Sequence, residues 1–233
     1  MTTTLFKTIG AATTLAAIAL TASSANAATI SYSNGTDFAV TDFTDKVINI
    51  KKFDSSLGTL KSVILEFEGT ITGGAGFENR SSSPADVQAT LSSNLSLKLD
   101  NILVQLNPQN VSSYQVASYD GILNYTGASG RTVENLLANQ SGVRNYTDSQ
   151  ILQSFIGSGN LNFLFSAKAT SLITGSGNMA SYFDTLAKAG VKVTYDYDPV
   201  KSVPEPSAAL GFGLFAVIGL LSQRQKIRLK ASK

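Results

Sequence analysis

Glu66 and Glu68 stand two residues apart in the stretch Val63-Ile64-Leu65-Glu66-Phe67-Glu68. If that stretch is extended, both carboxylates face the same way about 7 Å apart, a separation within the range used by paired carboxylates in glycoside hydrolysis. The competing reading is a solvated strand face, because acid and base pairs normally come from different strands across a cleft. Asp42 with Asp45, and Asp196 with Asp198, offer oxygen groups of the kind calcium takes, but neither set has the ordered acidic positions and central glycine of an EF-hand loop. The glycine clusters Gly69 to Gly76, Gly157-Ser158-Gly159 and Gly175-Ser176-Gly177 lack the Lys-Ser/Thr that completes a phosphate-binding loop. They are expected as hairpin and crossover loops. Tyr114, Tyr119, Tyr125 and Tyr146 fall in turn-rich stretches where rings can stack on sugars, although the chain has no tryptophan, the preferred platform.

Composition narrows the chemistry further. The chain has no cysteine and no histidine, which excludes disulfides, thiolate ligands, His-ligated zinc and the Ser-His-Asp and Cys-His triads. An enzyme would have to rely on carboxylates, Lys, Tyr, Ser or Thr. Of the 18 basic residues, Lys7 lies near the start and Arg224, Lys226, Arg228, Lys230 and Lys233 lie at the end; the 12 between them face 16 acidic residues, a net charge of −4. The middle of the chain is therefore mildly acidic and carries no electrostatic footprint for nucleic acid.

The ends read as addresses. Lys7, the apolar run Ile9 to Leu20 and the small-residue stretch ending Ala25-Asn26-Ala27 have the form of a signal peptide, with the small side chains of Ala25 and Ala27 fitting a signal peptidase and Ala28 as the first mature residue. At the other end, Pro204-Glu205-Pro206 precedes the uncharged run Ala208 to Leu221 and then Arg224, Lys226, Arg228 and Lys230. The two prolines hold the peptide extended. As a helix the apolar run reaches about 21 Å against a hydrocarbon core of about 30 Å, a marginal span that suits a transient anchor. Its basic flank is expected to stay cytoplasmic. This order of motif, short span and basic end resembles the PEP-CTERM sorting signal of Gram-negative bacteria. The resemblance implies processing by an exosortase at the inner membrane and an association with exopolysaccharide and biofilm matrix.

Any side chain that does chemistry must be positioned by the body of the chain, where the dominant period is two. Val63, Leu65 and Phe67 oppose Glu66 and Glu68; Leu161, Phe163 and Phe165 oppose Asn162, Ser166 and Lys168; Val191, Val193, Tyr195 and Tyr197 oppose Lys192, Thr194 and Asp196. Val47 to Ile50, Leu95 to Leu99 and Ile102 to Leu106 are further runs of strand type. Sheets with one dry and one wet face pack dry side to dry side, so the expected fold is all-β, an antiparallel β-sandwich. One to three short helices are expected in its connections: one capped at Thr147 or Asp148 and running to about Ile156, one over Ser181 to Ala189 ended by Gly190, and one over Val133 to Ala138. A signal helix and a C-terminal transmembrane helix complete the expectation. The divisions are 1–27 signal, 28–200 extracellular domain, 201–207 linker with the Pro-Glu-Pro motif, 208–221 membrane segment and 222–233 basic tail.

Phe53-Asp54, Leu57-Gly58-Thr59-Leu60, Glu78-Asn79, Asp120-Gly121 with Gly127, Ser129 and Gly130, and Val193-Thr194-Tyr195 together resemble the choice-of-anchor E domain, an exported family frequent in cyanobacteria. That resemblance implies location and architecture and brings no catalytic residue. Asp54, Glu78, Asn79 and Asp120 lie in these motifs and are the expected set for a metal or polar ligand, should they converge. The expected function is that of a non-catalytic surface or matrix protein without a cofactor. Its expected partners are signal peptidase, exosortase, the membrane and exopolysaccharide. The alternatives are a carbohydrate-binding module and a carboxylate-based glycoside hydrolase.

Overall fold

A computed structural model describes residues 27–200. The strands are β1 Ala28–Gly35, β2 Ala39–Val40, β3 Phe43–Lys51, β4 Gly58–Asn79, β5 Ala85–Leu99, β6 Ile102–Leu106, β7 Gln109–Val116, β8 Gly130–Tyr146, β9 Asn160–Ala169, β10 Leu172–Thr174 and β11 Met179–Pro199. They form two sheets, one in the order β1-β11-β4-β8 with β2 also on β11, the other in the order β10-β5-β9-β3 with β6 and β7 also on β5. All the strand pairs are antiparallel.

Six of these strands are pieces of three longer ones. Leu106 faces Leu95 and Gln109 faces Ser92, so β6 and β7 follow one register along β5; the break holds Pro108, which has no N–H for the ladder. In the same way β9 and β10 follow one register along the opposite edge of β5, and β1 and β2 share an edge of β11. Joining each pair leaves eight strands in chain order, with sheets 1-8-3-6 and 2-7-4-5. This is a hairpin of hairpins, first strand on last and second on seventh, rolled into two layers: the strand order of a jelly roll.

Alternation explains which faces meet. Val63, Leu65 and Phe67 of β4, Val191, Val193 and Tyr195 of β11, and Leu161, Phe163 and Phe165 of β9 are all buried in one core. The sheets touch through Phe67 and Phe165, whose rings meet edge to face at 6.1 Å. One end of the sandwich is closed by α1, Ser149–Phe155, whose first turn is capped by the Asp148 carboxylate accepting from the backbone N–H of Gln150 and Ile151. Leu152 and Phe155 plug that end against Phe53 and Tyr195.

Two of the expected helices are strands. Ser181 to Ala189 lies in β11, paired from Ser181↔Phe77 to Ala189↔Gly69, and Val133 to Ala138 lies in β8. Their apolar spacing fits either period, and ladder pairing with β4 decides it: Thr185, Ala187 and Ala189 are buried at alternate positions. The cluster Gly69 to Gly76 is likewise no loop but the second half of β4. A Cβ on Gly69 would lie 2.3 Å from Leu95 Cδ1, and one on Gly73 would lie 2.1 Å from the Asp184 carbonyl oxygen. These glycines let the facing sheet and the neighbouring strand come close. The signal segment, the membrane segment and the helices expected in them lie outside the described residues.

Candidate functional site

Glu78 and Asn79 end β4 at the pole opposite α1, and both are fully buried. Their polar atoms are taken up by the chain itself. Ser129 Oγ donates to Glu78 Oε1, and the backbone N–H of Tyr125 donates to Glu78 Oε2 at 2.8 Å. Asn79 Nδ2 donates to the carbonyls of Ser83 and Ala117, each at 2.8 Å, while its Oδ1 accepts from the Ser81 N–H at 3.0 Å and Ser176 Oγ at 2.7 Å. Asn79 thus ties three connections together: the one leaving β4, the one after β7 and the one before β11.

Ser129 is the joint of this arrangement. It is fully buried, and besides donating to Glu78 it accepts from the Asp120 N–H at 3.3 Å. A Cβ at Gly130 would fall 2.1 Å from Glu78 Oε2, so only glycine leaves room for the carboxylate there. The spacing of Gly127, Ser129 and Gly130 that marked this stretch in the sequence belongs to a clasp that closes the loop over Glu78.

The four expected ligand residues do not form one site. Asp54 sits at the α1 pole, where its exposed carboxylate caps a 3-10 turn, Ser55–Leu57, by accepting from the Ser56 N–H at 2.9 Å. That bond to the Ser56 backbone holds its carboxyl below the usual value. The whole length of β4 separates Asp54 from Glu78. Asp120 lies in the clasped loop, but its side chain turns outward to accept from the Ile122 N–H at 2.9 Å. No group of three acidic residues able to hold a metal occurs among the described residues. The other acidic pairs are also engaged: Asp42 accepts from the Ala169 N–H at 2.7 Å, and Asp198 pairs with Lys61 at 3.0 Å.

Three of the four tyrosines meet another ring. Tyr114 lies in β7 against Phe77, with the Arg131 guanidinium 4.7 Å from its ring centre. Tyr146 stacks on Phe155 at 6.1 Å. Tyr125 meets Tyr182 edge to face at 5.1 Å, and Tyr119 is half-buried beside Ser81, whose carbonyl accepts from its N–H.

Glu66 and Glu68 do share the outer face of the first sheet. Glu66 is bound to Lys192 Nζ at 2.8 Å across the β4–β11 pair. Glu68 has no ion pair or hydrogen bond among the described residues and opens into a hollow of about 690 Å³ that crosses the sheet from Asn34 on β1 to Asn139 and Ser141 on β8. A smaller hollow of about 400 Å³ lies on the outer face of the other sheet, beside Asn94, Gln105 and Lys168.

No family model matches the chain, and no curated protein matches it. Among the solved structures to which it is similar are two from infectious bursal virus. One is the structure of the infectious bursal disease virus Gx strain, at 11% identity over 86% of this chain and 48% of that chain, with a TM-score of 0.19. The other is that of infectious bursal virus derived T=1 particles, at 10% identity over 83% of this chain and 49% of that chain, with a TM-score of 0.11. The chain spans about half the length of the chains it matches.

Ala28 opens β1 and pairs with Tyr197, and Ala27 is the exposed residue before it. Ala25, the motif Pro204, Glu205 and Pro206, and the basic residues Arg224, Lys226, Arg228 and Lys230 lie outside the described residues. Among the described residues no helix is long and apolar enough to cross a membrane. Sequence reasoning passed over Gly190 and Lys192 as parts of a site, because a residue on an outer sheet face becomes a neighbour of Glu68 only once the β4–β11 register is known.

Proposed function

We propose that the chain is the precursor of an exported, non-catalytic envelope or matrix protein. In this reading signal peptidase removes residues 1–27, and the tail holds the protein briefly in the inner membrane until an exosortase reads Pro204, Glu205 and Pro206. The processed domain then serves in the cell surface or an exopolysaccharide matrix. The observation that carries it is the placement of the ladder. Among the described residues strand pairing runs from Ala28, the first residue after the expected signal-peptidase site, to Pro199, ahead of the Pro-Glu-Pro motif, so the two-sheet domain lies between the two segments that resemble processing signals.

The non-catalytic part of the proposal is supported by how the acidic residues are used. Glu66 is committed to Lys192, while Glu78 is enclosed by Ser129 and Tyr125. With no histidine or cysteine in the sequence, a hydrolase would need two free carboxylates facing one another across a cleft.

The test is to express the wild type and a triple alanine variant at Pro204, Glu205 and Pro206 in a host that carries an exosortase, and to compare intact masses in membrane and extracellular fractions. The wild type is expected to lose the residues after the motif, while the variant keeps them and accumulates in the membrane, because the extended segment and its carboxylate are gone. Equal masses and equal fractionation would overturn the proposal.

A further inference from the structure

We propose that the hollow on the outer face of the first sheet binds a neutral, linear polysaccharide, laid across the strands with Glu68 at its centre. Residues in register across an antiparallel sheet form rows perpendicular to the strands. One row on this face is Ser33, Lys192, Glu66 and Val143. The next is Gly35, Gly190, Glu68 and Ser141, and the one beyond contains Lys188, Thr70 and Asn139. The middle row has almost no side-chain bulk except Glu68, so it forms the floor of a trough between two fuller rows. Crossing four strands spaced about 4.8 Å apart, the trough is about 14 Å long. Its volume of about 690 Å³ lies within the ~300–1,000 Å³ of ligand sites.

The lining chooses the ligand class. A carboxylate is an acceptor only, and its two oxygens suit the paired hydroxyls of a vicinal diol. Lys192 supplies N–H donors at one wall, and Ser141 and Asn139 supply groups that both donate and accept at the β8 end. Glu66 and Glu68 are matched by Lys192 and by Lys188 of the far wall, so the trough has no excess of positive charge to hold phosphates, uronates or nucleic acid and suits a neutral chain. Phe67 and Val191 turn their side chains into the core, leaving Val143 as the apolar side chain of the lining, too little for an apolar peptide. No ring lies flat in the trough, so single-site affinity is expected in the millimolar range and rises when many copies meet one chain.

This inference rests on the reading of the domain as non-catalytic, but its test does not depend on processing. The full-length chain, held in a detergent without a sugar headgroup, is titrated with neutral hexasaccharides of β-1,4-glucan, β-1,3-glucan, α-1,4-glucan and mannan, and with a hexauronate. At least one neutral probe should bind. Glu68→Ala and Gly190→Leu should each weaken it tenfold or more. Gly190 tolerates a side chain, since the nearest atom to a Cβ there is 4.0 Å away, and unchanged unfolding midpoints confirm that both variants fold. Lys61→Ala, outside the trough, should bind as the wild type does. Failure of every neutral probe, full binding by Gly190→Leu, or tighter binding of the hexauronate would overturn the assignment. A failed titration beside normal tail removal in the native host would sink this inference and leave the processing proposal standing; the reverse pair of results would do the opposite.

Discussion

The Ser129 hydroxyl donates to the buried carboxylate of Glu78, 51 residues away in sequence, and this bond closes the loop between β7 and β8. Ser129→Ala leaves one oxygen of a fully buried carboxylate without its donor. It is expected to lower stability by about 1–3 kcal/mol and to speed proteolysis between Ala117 and Ala128. Urea unfolding and limited proteolysis are the measurements. An unchanged midpoint would show that Glu78 does not depend on Ser129.

Gly73 and Gly190 make a matched pair for testing close approach. A Cβ at Gly73 meets backbone at 2.1 Å, whereas one at Gly190 meets only a side-chain carbon at 4.0 Å. Gly73→Ala should therefore cost about 1–3 kcal/mol, and Gly190→Ala should change stability by less than about 0.5 kcal/mol. Thermal melts of the two variants check this, and equal losses would contradict the assigned packing.

Tyr195 is expected to contribute to the loss of stability at alkaline pH. Burial of its phenol, with the nearby Tyr32 contributing, raises its ionisation above the ordinary value of 10.0, and its hydroxyl donates to the Lys51 carbonyl at 2.8 Å. The folded state thus keeps a proton that the unfolded chain releases. This contribution to stability is fully present below about pH 10 and is lost as the pH rises further. Tyr195→Phe should cost about 1 kcal/mol at neutral pH through the lost hydrogen bond and flatten the fall in stability above pH 10. Ultraviolet titration of the wild type should show Tyr195 ionising with unfolding and not before it.

Chelator is expected to leave the melting temperature unchanged. Glu78 and Asn79 are bonded within the protein, and Asp54 lies at the far end of β4 from them. A domain of this size is expected to be held by its apolar core. A fall of several degrees on adding EDTA would contradict this reading of the acidic residues.

The two-layer all-β fold was legible because its strongest signal is local. Val63, Leu65 and Phe67, or Val191, Val193 and Tyr195, declare a buried face within five residues. The first half of β11 was not legible, because Thr185, Ala187 and Ala189 are small inward residues that alternate weakly, and the following Gly190 looks like a helix stop. The glycine-rich half of β4 was misread for a related reason: glycine in a loop and glycine under a close contact look alike until the contact is seen. At the candidate site, the motifs around Glu78, Asn79 and Asp120 were found, but not how their hydrogen bonds are spent. That depends on Ser129 and on which pole of the sandwich each motif reaches, and chain distance reports neither.

The last strand of the fold is a central one, held by β4 along one edge and by β1 and β2 along the other. Its ladder bonds lie across the strand direction. A pull on Pro199 along that direction therefore loads many bonds together in shear, where a peripheral strand peeled from its end would yield one bond at a time. Tension applied at Pro199 is therefore spread along β11 on both of its edges, toward β4 and toward β1 and β2, and is not concentrated on one terminal pair.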